Sequence, residues 1–221
     1  TPAEIQAIVD AYNKVLAAAD GTDGNAAAAP SAADYSAIGV AGTTDASAKL
    51  LSDMVDGLAA TAVDTVAELQ ALADAAKAAV DYTGAAGQTA PTAEQLNAIA
   101  GGAGVTADNL AAVQAAVAAA NADADGKPVT QAELQAIIKA ISDAAAGIGQ
   151  FAQDNSTGLA NATGTAPVTG DYTKAGVTGV TTGNVAAIND ALASDAVKGT
   201  SADTPAEIQA IVDAYNKVLA A

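Results

Sequence analysis

The side chains in this chain best placed to do chemistry are carboxylates and carboxamides, and they gather most closely in N-A-D-A-D-G-K-P-V-T-Q-A-E at 121–133. Asn121, Asp123 and Asp125 stand at alternate positions with Gly126 next, the opening pattern of a calcium loop. Hard oxygen ligands so spaced can converge in one turn, and Gly permits the sharp bend. Such a loop closes with a Glu six residues after the Gly; Glu133 comes seven after, and Pro128 takes the usual apolar position. Glu133 also stands three residues after Thr130, where a helix-capping box would use it. One reading is therefore calcium held by Asn121, Asp123, Asp125 and Glu133; the other is an acidic, unliganded turn between helices. A second acidic turn, A-D-G-T-D-G-N-A, offers Asp20 and Asp23 as calcium ligands, with plain turn chemistry as the alternative.

Other chemistry is restricted by composition. Cys and His are both absent, which removes thiol nucleophiles, imidazole bases and Cys/His zinc sites. Acid–base catalysis by carboxylates needs a pair held in one concave site, whereas Asp10, Asp53, Asp74, Asp143 and Asp213 fall opposite apolar helix stripes. No nucleophile elbow or nucleotide-binding fingerprint is present; Gly101-Gly102-Ala103-Gly104 follows a short helix and lacks a Lys. An enzyme is not expected. The net charge of −17 opposes binding to nucleic acid or anionic membrane. No apolar run approaches the roughly 20 residues of a membrane span.

The elements that must position these groups are repeats. Residues 1–18, TPAEIQAIVDAYNKVLAA, recur letter for letter as 204–221, an offset of 203 residues. This identity predicts one repeat, 1–203, from a longer tandem array, followed by the first helix (204–221) of the next. Inside it, T-x-A-E-[IL]-Q recurs at Thr1, Thr65, Thr130 and Thr204, and A-P recurs at Ala29-Pro30, Ala90-Pro91 and Ala166-Pro167. The long repeat thus divides into three diverged sub-repeats, about 1–64, 65–129 and 130–203. Near-identical arrays extend or multiply something and rarely carry a catalytic centre.

Each sub-repeat predicts three helices, and the fold class is all-α, an elongated, solenoid-like stack of Ala-rich helices. The long helix starts at T-x-A-E, where Thr is the N-cap and Glu closes the capping box. Ile5, Ile8, Val9, Tyr12, Val15 and Leu16 then form one apolar stripe. A short helix follows each A-P, and a medium helix follows each Gly-rich turn, over about 45–59, 107–120 and 183–194. The β-branched stretch 168–183 suits turns better than a strand because of its Gly spacing. Ile5, Ile8, Val9, Tyr12 and Leu16, with their counterparts Ile208, Ile211, Val212, Tyr215 and Leu219, are the expected packing contacts between successive repeats. Tyr12 and Tyr215 belong to that packing rather than to a ligand-stacking site.

The motifs T-x-A-E-[IL]-Q and G-V-T-x-x-N-[LV]-A-A-[VI], with an acidic, Cys-free, Lys-poor composition, resemble the repeat regions of very large secreted bacterial surface adhesins, both biofilm-type and RTX. The resemblance implies an extracellular location, a stalk or fibre role and millimolar calcium, although the Gly-Gly-x-Gly-x-Asp nonapeptides of RTX calcium repeats are absent. The expected function is a non-catalytic spacer or filament-forming unit joined end to end through helix packing. Its partners would be neighbouring copies of the same repeat. The alternative is a module binding a surface polysaccharide or protein by avidity across copies.

Overall fold

Threonine hydroxyls start the long helices of this fold. In a computed structural model that describes residues 1–22, 29–102, 104–122, 129–156 and 165–220, the chain is all-helical. The order is α1 (Pro2–Ala18), α2 (Ala32–Ala37), α3 (Asp45–Asp56), α4 (Val66–Asp81), α5 (Ala93–Ala100), α6 (Leu110–Asn121), α7 (Gln131–Asp154), α8 (Thr169–Lys174), α9 (Val185–Leu192) and α10 (Pro205–Leu219). Long, short and medium helices alternate three times before α10 begins the sequence again. Among the described residues there is no strand, only an isolated bridge between Asp20 and Ala59.

The four T-x-A-E segments all form capping boxes. Thr65 Oγ1 accepts the Glu68 N–H at 3.2 Å while Glu68 accepts the Thr65 N–H at 3.0 Å, and Thr1, Thr130 and Thr204 are paired likewise with Glu4, Glu133 and Glu207. Ser31, Thr44 and Thr92 cap α2, α3 and α5 with boxes closed by Asp34, Ser47 and Gln95. Each cap contributes about 1 kcal/mol. Helices this rich in Ala need them, since each buried Ala removes little apolar area from water. The medium helices are shorter than their apolar patterns predict: α3 ends at Asp56 and α9 at Leu192. A bend and 3₁₀ turn around Ala60–Ala62, and turns after Leu192, take up the remainder.

The helices group into two compact units, one of 1–104 with 117–135 and the other of 105–116 with 136–221. In the first, α1 packs on α2 and α3, α3 on α4, and α4 on α5, around Val15, Tyr35, Leu51, Leu69, Leu96 and Ile99. In the second, α10 packs on α9, and Ile148, Phe151, Tyr172, Ile188, Leu192, Ile208 and Val212 share one core. Helices α6 and α7 contribute to both units. Two close approaches in the second unit require glycine. Gly176 has φ +75°, and a Cβ there would meet Ala112 Cβ at 2.3 Å. A Cβ on Gly199 would meet Gln153 Cβ at 2.6 Å and the Gly149 carbonyl at 2.8 Å.

Candidate functional site

The acidic turns are the sites that sequence alone favoured. Asp123, Asp125 and Asp23 lie outside the described residues; Asn121, Glu133 and Asp20 do not. Asn121 Nδ2 donates to the carbonyls of Ala79 (2.7 Å) and Tyr82 (2.8 Å), and its Oδ1 accepts the Val129 N–H at 2.9 Å. The side chain thus ties the end of α6 to the end of α4. Glu133 Oε2 accepts the Thr130 N–H at 2.8 Å and hydroxyl at 2.9 Å, so it serves the cap of α7. Asp20 Oδ1 accepts the Thr22 N–H at 2.8 Å, closing an Asx turn. Among the described residues no three Asp or Glu side chains gather in a way that could hold a metal ion.

Most of the other described carboxylates lie on exposed surfaces, whereas Asp56 at the end of α3 is buried. Asp10, Asp74 and Asp213 each accept a hydrogen bond at 2.8 Å from the Gln one turn earlier, and Asp143 accepts from Lys139 at 2.6 Å. Burial raises the pKa of Asp53 against the opposing Lys49, and the other carboxylate lining the same hollow, Glu133, is the one engaged by the cap of α7. A hollow of 620 Å³ in the second unit is lined mainly by Ala, with Asp108, Thr178, Pro205, Gln209 and Asp213. It offers no nucleophile–base pair.

The informative arrangement is the repeated helix itself, because one sequence occurs in two environments. Ile5 in α1 is 64 % exposed and Val9 44 %, whereas Ile208 and Val212 at the same positions of α10 are 0 % exposed. At the C-terminal half the pattern inverts: Val15 is 0 % exposed and Val218 75 %. Ile8 is exposed where Ile211 is half-buried, while Tyr12 and Tyr215 are both half-buried. Leu16 is half-buried against its unit, and Leu219 is exposed. Thus α10 packs its N-terminal half on the helices before it in the chain, and α1 packs its C-terminal half on the helices after it. Helix α4 does both, burying Leu69 and Ala73 at the positions of Ile5 and Val9 and Ala75 and Ala79 further on.

Polar contacts show the same division. The motif's final Gln grips the loop before the preceding medium helix. Gln70 accepts the Ala41 N–H at 2.8 Å and donates to its carbonyl at 3.1 Å; Gln209 does the same to Thr178 at 2.7 and 3.2 Å. Gln135 donates to the Ala100 carbonyl at 2.9 Å. Among the described residues Gln6 pairs only with Asp10, on its own helix. Asn216 Nδ2 donates to the Gly179 carbonyl at 3.1 Å and its Oδ1 accepts from Asn184 Nδ2 at 2.9 Å, while Asn13 is exposed. On the other half, the Tyr12 hydroxyl donates to the Asp64 carbonyl, and Lys14 Nζ reaches Asp34 Oδ2 at 2.6 Å.

The A-P signposts also have a physical role that sequence reading missed. The Pro30 carbonyl accepts from Ser52 Oγ at 2.8 Å, and Ser52 meets the buried Tyr35 hydroxyl at 3.2 Å. The Pro167 carbonyl accepts from Asn189 at 2.8 Å, and Asn189 accepts from the Tyr172 hydroxyl at 2.5 Å. Tyr five residues after Pro, with Ser or Asn twenty-two after, was the available signal. Burial raises both phenol pKa values, that of Tyr35 to about 12. Comparison with protein families, with curated proteins and with solved structures finds no match to the chain.

Proposed function

We propose that the chain is a non-catalytic structural repeat of an extracellular surface adhesin or fibre, a spacer whose copies join end to end through the T-P-A-E-I-Q helix. The observation that carries this reading is the complementary burial of α1 and α10, identical in sequence and each covered on the half that the other exposes. A helix covered on both halves at once would couple successive units, as in stacked repeats whose stability is shared between neighbours. Surface carboxylates held by a neighbour on their own helix, as Asp10, Asp74 and Asp213 are, support a surface role over a catalytic one. The aromatic side chains support a spacer over a glycan-binding module. Tyr35, Tyr172 and Phe151 are buried, and Tyr12, Tyr82 and Tyr215 are half-buried, so no aromatic platform stands clear for a sugar to stack on. Among the described residues no helix is long and apolar enough to cross a membrane.

The location is tested by labelling intact cells that make the parent protein with an antibody raised against this chain. Surface label on unpermeabilised cells is the expected result. Label that appears only after permeabilisation contradicts it.

A further inference from the structure

The exposed half of α1 has a shape and a polar pattern that identify its missing cover. Pro2, Ile5, Gln6, Val9 and Asn13 form a face that meets no partner helix, yet the same five residue types in α10 are seated. Pro205, Ile208 and Val212 are buried there, Gln209 holds both peptide groups of Thr178, and Asn216 holds Gly179 and Asn184. We infer that this face of α1 is a recognition surface for a second copy of the chain, specifically for its loop 177–184 and helix α9. The inference rests on the proposed spacer role and adds to it the face, the partner and the order in which copies join.

The order comes from the asparagines. Aligned on their caps, Thr65 and Thr204, helices α4 and α10 carry Lys77 and Asn216 at one position; aligned on Thr44 and Thr181, the facing loops carry Ser47 and Asn184. The Asn–Asn pair therefore belongs to the α9–α10 joint and not to the α3–α4 joint. A single polar pair within an apolar contact fixes register, because a mispaired neighbour leaves a carboxamide without its partner. Asn13 of α1 has the residue type that suits an α9 end carrying Asn184, as it would the α6 end with Asn109 at the same position, rather than an α3 end carrying Ser47.

The test uses the intact 221-residue chain and the same chain extended before Thr1 by a further copy of residues 1–203. The first 221 residues of the extended chain repeat the intact sequence, so each part is already described. With no native Cys, Val9→Cys placed after the extension is a lone thiol reporter for maleimide labelling. In the intact chain it should label at the rate of an exposed thiol. In the extended chain it should label about 100-fold more slowly, since reaction then requires local opening. Adding Gln6→Ala and Asn13→Ala to the same helix should raise the extended chain's labelling rate about tenfold and leave the intact chain unchanged. Equal labelling with and without the extension overturns the proposal; protection indifferent to Gln6→Ala and Asn13→Ala overturns its recognition component. Equal labelling would remove the joint from α1, whereas the spacer role itself is judged separately, by how length grows with copy number.

Discussion

Ile5 and Ile208 allow an internal comparison that few proteins offer, because each sits in the same eighteen-residue sequence. Changing either to Ala alters helix propensity by the same amount, so that contribution cancels between them. The remaining difference is burial. Ile208 is 0 % exposed within the core that includes Ile188, Leu192 and Val212, and Ile5 is 64 % exposed. Truncating a buried Ile to Ala costs about 2–5 kcal/mol, from lost transfer free energy and the cavity left behind. Ile208→Ala should fall near the middle, ~3 kcal/mol, and Ile5→Ala within about 0.5 kcal/mol of wild type. For a chain of this size, ~3 kcal/mol lowers Tm by about 6–12 °C. The mirror pair runs the other way: Val15→Ala should cost ~2 kcal/mol and Val218→Ala almost nothing. Urea and thermal unfolding followed by circular dichroism would measure these. Amide exchange read separately on α9 and α4 would locate each loss, since two compact units need not unfold together. Equal effects of Ile5→Ala and Ile208→Ala would refute the reasoning, as would a larger effect at Ile5.

Other outcomes depend on single contacts. Gly176→Ala combines a left-handed backbone with a Cβ driven into Ala112, and should destabilise the second unit by about 2–4 kcal/mol, read as lost exchange protection in α9. Asp34 is held well below the usual carboxylate range, at about 2, mainly by its hydrogen bond from Lys14 and also by the Ser31 N–H. A depressed pKa stabilises the fold above the ordinary value near 3.8 and loses that contribution as pH falls through about 2. With both side chains partly exposed it amounts to about 1 kcal/mol, and Asp34→Asn should flatten the stability profile between those pH values. For calcium, Asn121 and Glu133 are already engaged by backbone and cap. A thermal melt in EDTA and in millimolar calcium, with magnesium as control, should therefore coincide; a calcium-specific rise of about 5–10 °C would instead support the turn at 121–133 as an ion site.

Helix starts were legible because their chemistry is local: Thr, Glu three residues on and Pro at the first position specify a cap without reference to the rest of the chain. The all-α class came from the same signals. Which half of a stripe would be buried was not legible. Ile5, Ile8, Val9, Tyr12, Val15 and Leu16 look like one continuous face, yet it divides between two neighbours, and Leu219 is exposed where the stripe pattern grouped it with Ile208. Periodicity specifies that a face is apolar, not how many elements cover it. Gln6, Gln70, Gln135 and Gln209 were visible as part of a motif, but the grip of the last three on a distant peptide group depends on tertiary contact over about thirty residues. Asn121 illustrates the converse: a residue whose type and spacing suit calcium also satisfies the last carbonyls of another helix, a contact that no local pattern announces.

The central claim is that copies stack in line through a shared helix, and solution scattering on chains of two and four copies tests it most directly. If each joint is covered and rigid, the maximum dimension increases by the same step for every added copy. Doubling the copy number should then add as much length as the first two copies supplied. Flexibly linked copies would instead lengthen roughly as the square root of their number, about 1.4-fold for a doubling. That weaker growth, or a collapse into a compact particle, would contradict the account.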